Sequence, residues 1–280
     1  LKGNKIGTTK NGIGPCYEDK AARLSIRMGD LLDLESLRNR LEAIVPIKNL
    51  QLQAFGGKPV DIDEIFDLLK DVAIKLKDRI IDTTVFLRKA YKENKKILFE
   101  GAQGAMLCLN YGTFPYVTSS SPLVTAIPNN TGLPLTAVNQ VLGIMKAYST
   151  RVGEGPFPSE IDGDIAHRIR EKGHEYGTVT KRPRRVGWLD IPQLKYVKEI
   201  SGITSIAIML LDVLSAVEEI KIVTKYYIDG KEIDYVPSTV FELSKVKVET
   251  ITLPSWKEDI SNCKSFEELP INCQKYIETI

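Results

Sequence analysis

Three short apolar runs, each bounded by polar or glycine residues, constrain the fold most strongly. They read KKILFEGA (95–102), VLGIMKAYS (141–149) and SIAIMLLDVLS (205–215). Runs of this length are typical of strands that lie buried in a parallel sheet, with helices in the segments between them. The sequence therefore predicts an α/β protein with a mostly parallel central sheet flanked by helices.

Helical periodicity is strongest between residues 62 and 94, where we expect one long helix. Asp61, with Glu64 three residues later, resembles a capping box at its start. A second helical pattern, at 36–55, contains Pro46, which we expect to interrupt the helix. The apolar face of the 62–94 pattern is formed at steps of three and four residues by Ile65, Leu69, Val72, Leu76 and Ile80.

The remaining elements are shorter. A long loop rich in Gly, Lys and Thr leads into a short helix near residues 18–27. Residues 220–236 form a hairpin with Asp229-Gly230 at the turn, and residues 265–280 form a final helix. Without repeats or a low-complexity linker, we expect one α/β domain over residues 1–280, with a helical region at about 33–94.

Composition excludes several function classes. The 280 residues are 43% hydrophobic and carry a formal net charge of only +2, so the chain is not a globally basic nucleic-acid coat. No apolar run reaches the roughly 20 residues of a membrane span. The four cysteines form no C-x-x-C pair and there are only two histidines, so we expect reduced thiols and no zinc site. The chain begins with Leu1 rather than Met, and we expect that the N-terminus is not the native one.

Four cations crowd into the stretch KRPRR at 181–185. Such density repels itself unless an anion lies nearby, and arginine binds phosphate and carboxylate through a planar fork. A nuclear-targeting or RNA-binding tail would lie in a polar, disordered segment. Here the apolar Trp188 follows at once, so a structured anion site is favoured.

Three further stretches each have two readings. The loop GTTKNGIGP (7–15) either cradles a phosphate or is a flexible surface loop, and it does not match the P-loop pattern. FEGAQGAML (99–107) places Gln103 either in a ligand site or in a tight turn. GTFPYVTSSSP (112–122) is either a phosphate-binding hydroxyl cluster or a solvated turn.

Single polar residues are similarly open. Asp212, in LLDVLS after an apolar run, can accept both N–H groups of a guanine edge or can cap a helix. His167 and His174 have no metal-binding spacing and no obvious nucleophile beside them. We expect both histidines at the surface.

The order of these motifs carries more information than any one of them. GTTKNGIGP.YEDK..R, FEGAQG, GT.PYVTSS, KAYSTRVGEGPFP.E, RPRR.GWLD and LDVLS..EEIKI together resemble the adenylosuccinate synthetase family over nearly all 280 residues. The resemblance implies part of a P-loop NTPase-like fold, and the spacing is similar to that of short archaeal members. It also implies a GTP- and Mg²⁺-dependent enzyme that joins IMP and L-aspartate to give adenylosuccinate, GDP and phosphate.

The same resemblance implies the site residues. IMP contacts are Thr9, Arg23, Gln103, Thr118 and Arg182. Arg23 corresponds to an arginine that reaches the neighbouring subunit's site, which implies a homodimer. Asp212 corresponds to the guanine-reading aspartate, with Leu210, Leu211 and Arg184 also on the GTP side. The loop that closes over aspartate is Thr178, Val179, Thr180, Lys181, Arg182, Pro183 and Arg184.

Two positions depart from the family pattern. Leu210 stands where the family usually has lysine, and Lys181 stands where it usually has glycine. The family's catalytic base, general acid and magnesium ligands correspond to sequence before Leu1, and its last guanine-contacting segment to sequence after Ile280. We therefore expect no catalytic residue and no metal ligand in this chain, with Gln103 in a supporting role, and no turnover by the chain alone.

Three hypotheses remain. The first is a cytoplasmic purine-biosynthetic ligase that binds neither nucleic acid nor membrane. The second is a catalytically inactive module that binds IMP or another nucleotide. The third is a nucleic-acid binder that uses KRPRR, and its affinity would fall steeply with salt.

Overall fold

A computed structural model describes residues 10–177 and 181–280. The chain divides into two compact units. The helical unit comprises residues 12–99 and 128–134, and the sheet unit comprises mainly residues 100–127 and 135–280. Whether the two form one domain, as the sequence predicts, stays a prediction.

Residues 12–99 of the helical unit form four helices and two short 3-10 turns. Its core joins Leu37 and Leu41 to the apolar face predicted for residues 62–94. Four of the five predicted residues, namely Ile65, Leu69, Val72 and Ile80, pack there. The elements are α1 (Ile13–Ala22), the turn Met28–Leu32, α2 (Leu34–Ala54), α3 (Ile62–Leu76), the turn Lys77–Arg79 and α4 (Thr83–Lys92).

Three predicted helix boundaries are wrong. The first helix ends at Ala22 because Arg23 adopts the left-handed conformation, with φ 63°. Helix α2 runs through Pro46 without interruption, because tertiary contacts hold it on both sides of the proline. Leu41 and Val45 are buried before the proline, and the Asn49 side chain after it exchanges two hydrogen bonds with the Val60 backbone. The predicted long helix is two helices, because Asp82 caps a new one by accepting a hydrogen bond from Val85 N at 3.0 Å.

The sheet unit carries the strands. Parallel pairing joins β1 to β5 and β4 to β6, which agrees with the predicted α/β class. β6 also pairs antiparallel with β7 and β8, and β2 pairs antiparallel with β3. The strands are β1 (Leu142–Lys146), β2 (Ser149–Arg151), β3 (Arg185–Gly187), β4 (Leu189–Asp190), β5 (Ser205–Met209), β6 (Glu219–Ile228), β7 (Lys231–Ile233) and β8 (Lys247–Pro254).

Helices and 3-10 turns connect these strands. The predicted final helix is confirmed, although it begins only after Pro270. The two histidines are exposed, as predicted, and all four cysteines are free thiols. The helices are α5 (Ala126–Thr131), α6 (Gly163–Lys172), α7 (Ile191–Ser201), α8 (Val240–Leu243) and α9 (Ile271–Thr279), and the turns are Ala105–Leu107, Leu135–Ala137 and Leu211–Ala216.

The core of the sheet unit lies around β6. Ile220, Ile222 and Tyr226 of β6 are at most 1% exposed. The predicted hairpin is confirmed between β6 and β7, where Asp229 and Gly230 both have positive φ, at 50° and 78°. Two such residues match the twist of a tight hairpin.

One predicted strand is absent. Residues 95–100 form no strand, and Leu98 is 90% exposed. A strand needs a neighbour for its backbone N–H and C=O groups, and within the described residues this run has none. The runs at β1 and β5 are correctly predicted as strands, although Ile144 is 73% exposed rather than buried.

No helix in the described ranges combines the length and apolarity that a membrane crossing requires.

Asp61 caps α3 by accepting hydrogen bonds from the backbone N–H groups of Asp63 and Glu64, at 2.8 and 3.1 Å. We expect Asp61→Ala to lower the free energy of unfolding by about 1 kcal/mol, because the first turn loses both acceptors. Urea unfolding measures it. Asp67→Ala is the matched control, since exposed Asp67 lies inside the same helix. Equal effects of the two substitutions would contradict the capping role.

Candidate functional site

The carboxyl ends of β1 and β5 meet at one edge of the sheet unit. Lys146 pairs with Met209 in register, and Ala147 N donates to the Met209 carbonyl at 2.8 Å. The chain continues from there to Tyr148 on one side and to Asp212 on the other. Ligands of open parallel sheets bind beyond this edge.

A buried carboxylate organises this edge. Glu175 is 0% exposed and accepts three side-chain hydrogen bonds. The donors are Lys146 Nζ at 2.5 Å, the Tyr148 hydroxyl at 2.6 Å and Arg184 Nη1 at 2.6 Å. Gly173 leaves the space that the Tyr148 hydroxyl occupies, since a Cβ there would collide with it.

The donors set the charge states of the cluster. Burial opposes ionisation of Glu175, but the bonds from Lys146, Tyr148 and Arg184 outweigh it and lower the carboxyl pKa. Burial lowers the pKa of Lys146, and the charge of Arg184 adds to that effect. Burial, Glu175 and the charge of Asp212 all raise the pKa of Tyr148, so its hydroxyl stays protonated.

Residues 175–177 pair with residues 182–184 of the KRPRR stretch, and we call these two paired segments the stem. Arg184 N donates to the Glu175 carbonyl at 2.9 Å, and Gly177 N donates to the Arg182 carbonyl at 2.8 Å. Tyr176 and Pro183 form an antiparallel bridge between these bonds. Lys181 has φ 54°, a conformation that favours glycine, which is the residue usual in the resembled family.

Two of the four crowded cations therefore have internal counter-ions. Arg184 forms an ion pair with Glu175. Arg185 forms a bidentate ion pair with Glu160, in which Nε donates to Oε1 at 2.6 Å and Nη2 donates to Oε2. Glu160 is the first cause of the raised pKa of Arg185. Lys181 and Arg182 are exposed. For Arg184 and Arg185 the anion is a carboxylate of the protein itself.

The stem is linked to the hydroxyl-rich turn at 112–122. Arg185 lies opposite Arg151 in the β2–β3 pair. Arg151 Nη2 donates to Thr113 Oγ1 at 2.9 Å and to the Tyr116 carbonyl at 3.4 Å. Burial, followed by the charge of Arg185, lowers the pKa of Arg151. The turn and the KRPRR stretch are thus parts of one hydrogen-bonded region.

Asp212 does not cap the 3-10 turn in which it lies. Leu210 occupies the N-cap of the 3-10 turn Leu211–Ala216, with φ 62°, and Asp212 lies exposed in its first turn. The Ser215 hydroxyl donates to the Asp212 carbonyl at 2.9 Å, which leaves the Asp212 carboxylate unused by this bond. The carboxylate is therefore placed to accept hydrogen bonds from a ligand.

Several of the predicted residues belong to the same compact unit. Gln103, Thr118, Arg182, Arg184 and Asp212 lie in the sheet unit, whereas Arg23 lies in the helical unit. Gln103 is exposed in a bend, and Thr118 is partly buried with its N–H bonded to the Leu107 carbonyl at 2.9 Å. Four predicted residues, namely Thr9, Thr178, Val179 and Thr180, fall outside the described residues.

Sequence reasoning missed the residues that hold this region together. Lys146, Tyr148, Arg151 and Glu160 lie inside the quoted motif KAYSTRVGEGPFP.E, but no spacing gave them partners. Glu175 stands alone in a polar stretch, 29 residues from Lys146. Only the folded chain identifies it as a counter-ion.

A second buried carboxylate, that of Asp190, lies at the end of the WLD stretch (188–190). Asp190 is 1% exposed, caps α7 by accepting from Gln193 N at 3.1 Å, and accepts from the Tyr226 hydroxyl at 2.5 Å. Burial is the dominant influence and raises the pKa of Asp190 to about 6, although both hydrogen bonds oppose the rise.

Fold and site together define an α/β protein with a cluster of basic side chains around a buried carboxylate at the carboxyl ends of parallel strands. The family model described as adenylosuccinate synthetase matches residues 1–280. The chain is 50% identical over 277 residues to the adenylosuccinate synthetase of Fusobacterium nucleatum, covering 99% of this chain and 65% of that protein. It is 48% identical over 282 residues to the adenylosuccinate synthetase of Malacoplasma penetrans, covering 100% of this chain and 66% of that protein.

A solved structure agrees with these matches. The fully ligated adenylosuccinate synthetase from Plasmodium falciparum superposes with a TM-score of 0.93 at 42% identity, covering 99% of this chain and 66% of that one. The chain belongs to the adenylosuccinate synthetase family, and it spans about 65% of the length of its curated relatives. Both curated relatives named here are bacterial, which gives no support to the expected likeness to short archaeal members.

The raised pKa of Asp190 makes stability depend on pH. Because the folded value of about 6 lies above the ordinary 3.8, the contribution of Asp190 is fully present below about pH 4 and is lost as pH rises through 6. The difference corresponds to roughly 3 kcal/mol. Compared with Asp190→Asn, the wild-type protein should lose free energy of unfolding between pH 4 and 7.

Urea unfolding of both proteins at several pH values from 4 to 8 measures this difference. Parallel curves for wild type and Asp190→Asn would contradict it, whatever the absolute cost of the substitution.

Proposed function

We propose that the complete protein joins IMP to L-aspartate at the expense of GTP, giving adenylosuccinate, GDP and phosphate, the first committed step from IMP to AMP. GTP phosphorylates the 6-oxygen of IMP, and the amine of aspartate then displaces that phosphate. The observation that carries the proposal is the match of essentially the whole chain to a fully ligated synthetase, with a TM-score of 0.93.

The described residues support a binding and orienting role. Arg182 and Arg184 stand at the stem of the 178–184 loop, where guanidinium groups suit the two carboxylates of aspartate. Gln103 and Thr118 are assigned to IMP, with Thr118 in the turn that Arg151 holds. The backbone and side chain of Glu175 fix Arg184, so this donor is preorganised before a ligand arrives.

The guanine assignment rests on Asp212. Its exposed carboxylate lies three residues beyond β5, where ligands of parallel sheets bind. A carboxylate can accept from both N1–H and the 2-amino group of guanine, and adenine presents no such pair of donors. Leu210 and Leu211, half-buried beside it, would pack against the base, and Arg184 would serve the phosphate side.

Other parts of the proposal concern the complete protein. We propose a cytoplasmic homodimer in which Arg23 reaches the IMP of the neighbouring subunit. Mg²⁺ would neutralise phosphate charge during phosphoryl transfer. Among the described residues no group of three or more His, Cys, Asp or Glu side chains could hold a metal ion.

The two competing functions have less support. An inactive IMP-binding module would use the same pocket residues, and no observation favours it. A nucleic-acid binder needs the KRPRR charges to face a backbone, but Arg184 and Arg185 are bonded to Glu175 and Glu160.

Arg182→Ala tests the IMP site. A lost hydrogen bond from a charged group costs up to about 3 kcal/mol, so we expect the Kd for IMP to rise about 100-fold. Calorimetric titration of the complete protein with IMP measures it. Arg168→Ala is the control, because Arg168 is exposed on α6 and pairs with Asp164.

Unchanged IMP affinity of Arg182→Ala would overturn the site assignment. Binding to single-stranded nucleic acid that weakens steeply with salt would support the third hypothesis instead.

Asp212→Asn tests the guanine assignment. Asparagine offers one acceptor and one donor, which match the N1–H and 2-oxo group of xanthine rather than guanine. We expect the KM for GTP to rise at least about tenfold and XTP to become the better substrate. The KM for IMP is the internal control. An unchanged preference for GTP would remove Asp212 from the base site.

A further inference from the structure

The side chain of Glu175 connects three separate segments. It receives Lys146 from the end of β1, Tyr148 from two residues further on, and Arg184 from the far side of the stem. These donors meet a carboxylate whose side chain is 1% exposed, whereas those of Lys146 and Arg184 are 29% and 26% exposed. The carboxylate is buried, and both cations are partly exposed to solvent.

The backbone of Glu175 holds the same partner. Its carbonyl accepts from Arg184 N at 2.9 Å, and its N–H donates to the Arg170 carbonyl at 2.9 Å. Arg170 Nε in turn donates to the Arg184 carbonyl at 2.9 Å. Arg184 is therefore fixed through its N–H, its carbonyl and its guanidinium, and Glu175 supplies two of these three contacts.

One hydrogen bond to Glu175 leaves Arg184 capacity for a ligand. A guanidinium carries five N–H donors in a planar fork, and Nη1 is the atom that Glu175 engages. Such a bond orients the fork and keeps the charge, because a carboxylate partner stabilises the cation. The remaining donors are then held at a defined angle beside residues 181–183.

We infer that Glu175 is a positioning residue: its buried carboxylate orients Arg184 and holds the stem of the 178–184 loop ready for its anionic ligands. The inference rests on the proposed function for the identity of those ligands, which are aspartate and GTP. Glu175 itself touches neither ligand in this assignment.

A merely structural role for Glu175 makes different demands. If the carboxylate only neutralises two partly exposed cations, its loss lowers the stability of the whole unit and affects all ligands alike. If it positions Arg184, its loss acts on the stem first and on the ligands of Arg184 most.

Hydrogen exchange of Glu175→Gln in the complete protein separates these roles. We expect the amides of residues 177, 182, 184 and 185 to exchange about tenfold faster, since the stem loses the charge-assisted hydrogen bond between Arg184 and the Glu175 carboxylate. The amides of β6 should exchange as in wild type. The matched control is Glu199→Gln, since Glu199 is exposed on α7, outside the stem.

Unchanged stem exchange in Glu175→Gln would overturn the inference, and so would equal acceleration throughout the sheet unit. Tyr148→Phe provides a second test in case Glu175→Gln does not fold. It removes one bond to Glu175 and leaves both cations paired, so the stem amides should exchange about threefold faster. No change in a folded Tyr148→Phe, alongside an unfolded Glu175→Gln, would count against the inference.

Steady-state kinetics then address the ligands. For Glu175→Gln we expect the KM values of aspartate and GTP to rise about tenfold, while that of IMP stays within about threefold. Equal rises for all three substrates would overturn the inference. If the wild-type complete protein makes no adenylosuccinate, the proposed function fails, and the exchange experiment still decides whether Glu175 holds the stem.

Discussion

A carboxylate removed from water must be surrounded by donors, and Glu175 imposes this condition on the sheet unit. Its donors come from the end of β1, from Tyr148 just after it, and from Arg184 at the end of the 178–184 loop, so these segments must meet for the charge to be tolerated. The pairing of β1 with β5 positions Lys146. Gly173 has no Cβ and therefore leaves space for the Tyr148 hydroxyl. One internal anion thus fixes the arrangement of the basic side chains at this edge.

Local patterns predicted the elements whose cause is local. The Asp229-Gly230 turn, the Asp61 cap and the strands β1 and β5 each follow from a few adjacent residues. Elements that depend on distant neighbours were predicted poorly. Residues 95–100 have the composition of a strand but no pairing partner among the described residues. Helix α2 tolerates Pro46 because its first half packs in the core through Leu41 and its second half is bonded to Val60 through Asn49.

The candidate site shows the same division. Resemblance and composition pointed to Arg184 and Asp212, but could not say what each contacts. That Arg184 and Arg185 have carboxylate partners is a property of the fold, since Glu175 and Glu160 gave no pattern of their own. The sequence allowed Asp212 either to bind a guanine edge or to cap a helix. The fold excludes the cap, because Leu210 occupies the N-cap position.

Arg151 differs from its neighbours in what it bonds to. Its side-chain partners are neutral oxygens, namely the Thr113 hydroxyl and the carbonyls of Tyr116 and Glu154. Neutral partners orient a guanidinium without cancelling its field, which extends over a Debye length of about 8 Å at physiological ionic strength. An anion diffusing toward this edge is therefore drawn in before contact, so its association rate constant should fall as ionic strength rises.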